Sequence, residues 1–133
     1  MAKALQLLLA EEFEVIGVAM TALALVEVAI QTAPDVIVSD ITMPDGSGLT
    51  AAAAILARRP DTRIVLVTVQ DHQEVIRAAF DLGVRGYVLK SDAGDELVPA
   101  VRSVLAGARF LSSKARLSLG EPTDWDRGEQ IQP

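Results

Sequence analysis

The chain has 133 residues, half of them hydrophobic, with a formal net charge of −6 and no cysteine. This length fits one domain, and the lack of cysteine excludes disulfides and thiolate metal sites. The acidic balance argues against direct contact with nucleic acid or an anionic membrane. No apolar run is long enough to span a membrane, and the first residues show no signal-peptide cleavage site, so the sequence predicts a cytoplasmic protein.

Apolar patterning divides residues 3–112 into alternating helices and strands. The predicted strands are apolar without alternation, as is typical of parallel strands covered on both faces, and the helices show three- and four-residue spacing. In chain order we predict helix 4–12, strand 14–20, helix 21–33, strand 35–40, helix 49–58, strand 63–69, helix 71–83, strand 86–90 and helix 95–107. This order predicts an α/β fold, a doubly wound parallel sheet of about four strands and five helices.

Particular residues set the expected helix ends. Asp71 and Glu74 have capping-box spacing at the start of the helix that Gly83 ends. Pro99 fits the last helix only if that helix starts near Asp95, which places the proline in the first turn. Residues 113–133 are polar and aperiodic, so we expect domain 1–112 to be followed by a partly helical or disordered tail carrying Trp125.

Three polar residues follow or end the predicted strands: Asp40, Thr68 and Lys90. The carboxyl ends of parallel strands meet at one edge of a sheet, where ligands bind. A carboxylate, a hydroxyl and an ammonium group at one edge suit phosphoryl transfer, because the carboxylate can attack phosphorus while the other two stabilise charge on its oxygens. The sequence therefore predicts a phosphoryl-transfer site at this edge.

These residues lie in motifs that resemble the receiver domain of bacterial two-component response regulators, over about residues 3–112. The segment VIVSDITMPDGSGL places Asp40 at the phosphoacceptor position, and IVLVT ends on Thr68 at the switch hydroxyl position. GYVLK places Tyr87 at the switch aromatic position and Lys90 at the position of the phosphate-contacting lysine. The segment GARFLSS is similar to the end of receivers in the DNA-binding transcription-factor branch.

The resemblance implies a signalling protein rather than an enzyme. A sensor histidine kinase would transfer phosphate to Asp40, with magnesium held by that carboxylate and by the backbone carbonyl of Thr42. Thr68 and Tyr87 would then rearrange and change a protein-interaction face that regulates transcription. In physical terms, a change of charge biases an element with two stable arrangements.

The family also begins with a strand that ends in an acidic pair, and we expect both to be absent here. Glu11 and Glu12 would form the pair only if residues 4–12 were a strand, which leaves no room for a parallel crossover before residues 14–20. Magnesium binding is therefore expected to be weak. Residues 14–20 would pair directly with residues 35–40, or two chains would share or exchange strands in a homodimer; unpaired backbone is the least expected arrangement because of its cost.

Two other functions remain open at this stage. A degenerate receiver would act as a phosphorylation-independent interaction or dimerisation module, which the missing acidic pair favours. A phosphatase would use Asp40 as its nucleophile, but Thr42 occupies the position where such enzymes carry a second aspartate. Trapping of phosphate on Asp40 separates the interaction module from the phosphate-using alternatives.

Overall fold

The structure, a computed structural model, describes residues 2–119. The helices in this range are α1 (Ala2–Ala10), α2 (Ala22–Thr32), α3 (Gly48–Arg58), α4 (Gln73–Leu82), α5 (Ala93–Leu105) and α6 (Ser113–Leu119). The strands are β1 (Val36–Ser39), β2 (Thr42–Met43), β3 (Gly46–Ser47), β4 (Arg63–Thr68), β5 (Gly86–Leu89) and β6 (Phe110–Leu111). A 3₁₀ turn over Lys90–Asp92 connects β5 to α5.

Four of the strands form one parallel sheet in the spatial order β1-β4-β5-β6. Its register pairs Ser39 with Leu66 and Thr68 with Leu89, so the carboxyl ends of β1, β4 and β5 lie along one edge. The strands β2 and β3 form a small antiparallel hairpin just after β1. The predicted α/β class, with a parallel sheet of four strands, is confirmed.

Apolar side chains pack on both faces of this sheet. In β4, Ile64 and Leu66 belong to the core cluster on one face, while Val65 and Val67 belong to the cluster on the other. Residues of α2, α3, α4 and α6 cover the first face, and residues of α1 and α5 cover the second. This two-sided burial explains why the sequences of the strands lack polar alternation.

The predicted strand at residues 14–20 is wrong. These residues are irregular and pair with no strand among the described residues, and the four-stranded sheet is completed instead by β6 at its other edge. Ile16, Gly17 and Val18 are exposed, so water can satisfy the backbone groups that pairing would otherwise satisfy. Within the described residues of a single chain, residues 14–20 are thus unpaired, the arrangement expected least from the sequence, while sharing or exchange of strands between two chains stays a prediction.

The structure confirms other assignments and corrects some helix ends. Residues 2–10 are helical rather than a strand, as predicted, but Glu11 and Glu12 lie in the turn after α1 and not in the end of the helix. His72, without a side-chain hydrogen bond, precedes α4 in place of the expected Asp71 cap, while Gly83 ends that helix at φ 111°. Helix α5 begins at Ala93, so Pro99 lies inside the helix rather than in its first turn.

The first part of the predicted tail packs against the core. Helix α6 buries Ala115 and Leu119, which join the core cluster on one face of the sheet. The domain boundary at residue 112 stays a prediction. Trp125 and the rest of the tail lie outside the described residues.

Candidate functional site

Asp40 and Lys90 meet at the carboxyl edge of the sheet. Asp40 directly follows β1, and Lys90 opens the turn after β5. The Lys90 Nζ lies 2.7 Å from Asp40 Oδ2, and the two side chains are 24% and 29% exposed. A charge-assisted contact of this length places a carboxylate oxygen directly next to a cation. The expectation that these groups converge is met for this pair, while their chemical roles stay predictions.

A close backbone approach fixes the loop that carries Asp40. The Oδ1 atom of Asp40 accepts a hydrogen bond from the Thr42 backbone N–H at 3.3 Å. Gly48, the first residue of α3, lies against the same loop, because a Cβ atom on it would be 1.9 Å from the carbonyl oxygen of Asp40. Only glycine fits there, which explains the glycine that follows the hairpin.

Thr68 lies at the end of the strand between β1 and β5. It is fully buried, and its Oγ1 accepts a hydrogen bond from the Gln70 backbone N–H at 3.1 Å. This contact uses a lone pair of the Thr68 oxygen, so the Thr68 hydroxyl can still donate its own proton to another acceptor. This geometry is compatible with the predicted role of Thr68 as a hydroxyl donor at the site.

Gln70 is a residue that the sequence interpretation missed. Its backbone N–H bonds Thr68, its carbonyl oxygen accepts the Tyr87 hydroxyl at 2.7 Å, and its side-chain Nε2 donates to Thr42 Oγ1 at 3.3 Å. It therefore links both predicted switch residues to the loop after Asp40. The one available signal was its position two residues after a threonine, a spacing at which hydroxyls commonly bond the backbone.

Tyr87 is fully buried, and burial raises the pKa of its phenol well above the ordinary value of 10, with further contributions from the charges of Asp71 and Asp40. The neutral phenol is therefore the form that the fold stabilises, and this stabilisation is complete below pH 10 and is lost at higher pH, where the unfolded chain ionises.

The chain contains one tyrosine, so its ultraviolet titration reports Tyr87 alone. We expect phenolate absorbance to stay low in the folded protein at pH values where a free tyrosine is half ionised. Chain unfolded in urea serves as the control. A normal titration of the folded protein, checked by circular dichroism, would contradict the burial of the hydroxyl.

Asp45, the other carboxylate of the loop, is directed elsewhere. Its two oxygens accept hydrogen bonds from the backbone N–H groups of Ala22 at 2.7 Å and Leu23 at 3.2 Å, at the start of α2. These bonds lower the pKa of Asp45. Asp45 thus caps a helix, where a negative charge is favourable.

The described residues do not form a full ligand set for magnesium. Within residues 2–119, no three Asp, Glu, His or Cys side chains lie close enough together to hold a metal ion. Glu12, one of the two glutamates weighed as the acidic pair, forms an ion pair with Arg102 of α5. Magnesium prefers octahedral oxygen ligation, usually with one or two carboxylates. The oxygen atoms predicted to bind magnesium at this edge are those of the Asp40 carboxylate and of backbone carbonyls such as that of Thr42.

No helix in the described range has the length and apolar character needed to cross a membrane.

Comparison with known proteins agrees with this geometry. Two curated relatives are the oxygen regulatory protein NreC of Staphylococcus carnosus (34% identity over 110 residues, 82% of this chain and 51% of that protein) and the nitrate/nitrite response regulator protein homolog of Haemophilus influenzae (34% over 116 residues, 87% and 56%). The chain spans about half the length of these relatives.

Solved structures with the same fold include a LuxR-family two-component response regulator from Aurantimonas sp. SI85-9A1, with TM-score 0.84, 26% identity and coverage of 98% of this chain and 89% of that one. A LuxR-family DNA-binding response regulator from Staphylococcus aureus matches with TM-score 0.73, 25% identity and coverage of 78% and 88%. The family model of the response regulator receiver domain matches residues 1–102. With the acid, the hydroxyl and the amine at its strand ends, this chain belongs to the response regulator receiver domain family.

Proposed function

We propose that this receiver domain accepts a phosphoryl group on Asp40 from a sensor histidine kinase. The observation that carries the proposal is the 2.7 Å contact between Lys90 Nζ and Asp40 Oδ2 at the strand ends of a receiver fold. An ionised carboxylate next to a fixed cation is a nucleophile that needs no general base at neutral pH.

The transfer step can be written with the residues of this chain. An Asp40 carboxylate oxygen attacks the phosphorus of a phosphohistidine; an O–P bond forms while the N–P bond breaks, and the imidazole leaves with its electron pair and takes up a proton. Lys90 stabilises charge on the phosphoryl oxygens, and the buried Thr68 hydroxyl at the end of the neighbouring strand β4 is the second proposed donor.

The signal would then pass through Gln70. A phosphoryl group on Asp40 adds negative charge beside Lys90 and offers the Thr68 hydroxyl a new acceptor. Movement of Thr68 would disturb its contact with Gln70, whose carbonyl holds the Tyr87 hydroxyl. A charge change at the strand ends is thereby converted into a change at the face that Tyr87 underlies.

Phosphoryl incorporation tests the proposal directly. Incubated with acetyl phosphate, the chain is expected to gain one phosphoryl group, mapped to Asp40 by trapping of the acyl phosphate and mass spectrometry. Asp40→Asn should gain none, because the amide is not nucleophilic, while Asp61→Asn, a change of an exposed aspartate outside the site, should be labelled normally. Absence of label on Asp40 would instead favour a phosphorylation-independent interaction module.

Receivers generally bind magnesium at an acidic pocket, but weak binding is expected here. Within the described residues, no three Asp, Glu, His or Cys side chains lie close enough together to hold a metal ion, and Asp45 caps α2. In an NMR titration with magnesium chloride, we expect the amide signals of residues 40–42 to shift without saturation at millimolar concentrations. Tight, saturable binding would contradict this and would require further ligands from outside the described residues.

Partners of the whole protein remain proposals. Transcription regulation is consistent with the relatives, one of which is named as a DNA-binding response regulator. The expectation that this chain itself does not contact nucleic acid rests on its net charge of −6 and stays a prediction, as do its cytoplasmic location and homodimer formation.

A further inference from the structure

Two arginines lie next to each other at the amino edge of the sheet. Arg85 directly precedes β5 and Arg109 directly precedes β6, and the register pairs the first residues of these two strands. Strand pairing continues to this level, because the Arg85 N–H donates to the carbonyl of Ile64 at 3.0 Å and the Phe110 N–H donates to the carbonyl of Arg85 at 2.9 Å. Neighbouring strands are about 4.8 Å apart, so the two guanidinium groups can reach the same ligand.

Both arginines belong to one face of the sheet. Successive side chains of a strand point to opposite faces, so Arg85 shares its face with Tyr87, two residues later. Arg109 shares its face with Leu111 in the same way. Tyr87 and Leu111 are paired in the register, and both belong to the core cluster that α4 and α6 cover. The two arginines therefore lie side by side at the rim of the face that carries α4 and α6.

This pair of positive charges is not neutralised within residues 2–119. Both side chains are partly exposed, and neither forms an ion pair or a side-chain hydrogen bond in that range. Asp81, an exposed acid near the end of α4, forms no ion pair there either. Like charges at directly opposite positions of adjacent strands destabilise a sheet. A carboxylate held between Arg85 and Arg109 would offset this repulsion, because its two oxygens match the forked guanidinium group.

An acidic segment of this chain starts on the same face. Leu119, the last described residue, belongs to the core cluster on the face of the arginine pair. Residues 120–133 contain four acidic residues and one basic residue. Two of the acids, Asp124 and Asp126, flank Trp125. Acids two residues apart can direct both carboxylates to one side of an extended chain, about 6.6 Å apart, which is close to the spacing of neighbouring strands.

The chain is long enough for these acids to reach the arginines. Leu119 lies about 9 Å along α6 from Ser113, because each helical residue rises by about 1.5 Å. Arg109 precedes Ser113 by four residues and lies at most about 14 Å from it. Leu119 is thus within about 23 Å of Arg109, while the seven residues up to Asp126 span as much as about 24 Å.

From these observations we propose that Arg85 and Arg109 form a docking site for residues 124–126 of this chain. The carboxylates of Asp124 and Asp126 accept hydrogen bonds from the two guanidinium groups. The contact fastens the chain beyond α6 to the amino edge of the sheet, at the end opposite to the predicted phosphoryl-transfer site. It does not depend on transfer of phosphate.

Other anions suit this site less well. Nucleic acid would be repelled by the net charge of −6, which acts at longer range than two arginines do. A separate acidic polypeptide would have to compete with a segment that is tethered next to the site, and a short tether gives an effective concentration in the millimolar range. The chemistry and the connection of the chain therefore favour residues 124–126.

Fluorescence anisotropy of Trp125 tests the proposal, because the chain contains no other tryptophan. In the docked segment the indole rotates with the domain, whereas an undocked segment moves faster, on the nanosecond scale. We expect Arg85→Gln combined with Arg109→Gln to lower the anisotropy about twofold. Sodium chloride at about 0.5 M should lower it as well, since salt screens exposed charges. An unchanged anisotropy in the double variant would overturn the proposal.

A control variant carries the same net charge as the arginine variant. Lys3→Gln combined with Arg58→Gln removes two exposed cations from α1 and α3, and it should keep the anisotropy of the unchanged protein. An equal loss in this control would mean that net charge rather than the arginine pair holds the segment, which would overturn the proposal. Circular dichroism checks the fold of each variant.

Changes within the segment keep the test valid even if the arginine variant fails to fold. Asp124→Asn combined with Asp126→Asn alters none of the described residues and should lower the anisotropy by a similar factor. Combined with the arginine variant, it should cause no further loss, because both changes remove the same contact. Independent, additive losses would contradict a direct contact between the two pairs.

Dependence on concentration separates docking within one chain from exchange between chains. The anisotropy of the unchanged protein should be constant up to about 100 μM, because a tethered contact does not depend on concentration. A rise with concentration, with a dimer in light scattering, would mean that the segment binds a second copy and would overturn the proposal. Asp40→Asn should have the anisotropy of the unchanged protein, so failure of phosphate transfer would leave this result intact.

Discussion

Lys90→Gln is expected to lower the rate of phosphoryl incorporation from acetyl phosphate by about 100-fold or more. The substitution removes the cation that lies 2.7 Å from the Asp40 carboxylate and that would neutralise charge on the transferring group. Because both side chains are partly exposed, water can solvate the carboxylate that is left, and the free energy of unfolding should change little. The measurement is the initial rate of labelling of Asp40.

Two control variants make this result interpretable. Lys114→Gln removes an exposed lysine from α6 and should leave the labelling rate unchanged. Lys90→Arg keeps the charge with a different shape and should give an intermediate rate. If Lys90→Gln labelled within a few-fold of the unchanged protein, Lys90 would not be part of the transfer site.

Gly48→Ala is expected to lower the free energy of unfolding by about 3 kcal/mol. The new Cβ would lie 1.9 Å from the backbone carbonyl oxygen of Asp40, so the start of α3 or the loop after β1 must move. Urea unfolding followed by circular dichroism measures the loss. Labelling of Asp40 should fall as well, because the movement displaces its carboxylate from Lys90.

Gly94→Ala is the matched control for this substitution. Gly94 lies in α5, and no heavy atom is within 4 Å of the position of an added Cβ. Alanine favours helix over glycine, so this variant should gain about 0.5–1 kcal/mol. An unfolding free energy for Gly48→Ala equal to that of the unchanged protein would show that the close contact at Asp40 is not tight.

The sequence was sufficient to predict elements whose patterns are local. The strands β1, β4 and β5 are apolar runs that end at the polar residues of the site, and helical spacing located α1 to α5. A strand that is buried on both faces is apolar throughout, and a helix that is buried on one face is apolar every three or four residues, so both patterns are visible locally. The meeting of Asp40 and Lys90 also follows from the parallel arrangement of the strands, because the carboxyl ends of parallel strands lie along the same edge of the sheet.

Other features depend on contacts that no local pattern contains. Residues 14–20 have the composition of a strand, but a strand also needs a neighbouring edge to pair with, and a cavity of about 560 Å³ lies between these residues and β1. β6 has only two residues, too few for a period to show. Pro99 is tolerated inside α5 because tertiary packing of that helix outweighs a missing backbone bond.

The role of Gln70 was hidden for a different reason. Two of its three contacts use its backbone, so the identity of its side chain gives no indication of them. The target of Asp45 was equally hidden, because the start of α2 lies 22 or 23 residues away in the chain. Long-range partners of polar groups are set by the fold rather than by neighbouring residues.

The Asp45 cap ties the hairpin after β1 to the first turn of α2. That helix carries Leu25 and Ala29, which line a cavity of about 560 Å³ beside β1, while the hairpin begins two residues after Asp40. A shift of α2 would therefore be transmitted through Asp45 to the loop that carries the Asp40 carboxylate. Because the hydrogen bonds from Ala22 and Leu23 lower the pKa of Asp45, we expect this connection to weaken only in acid below the ordinary titration range of aspartate.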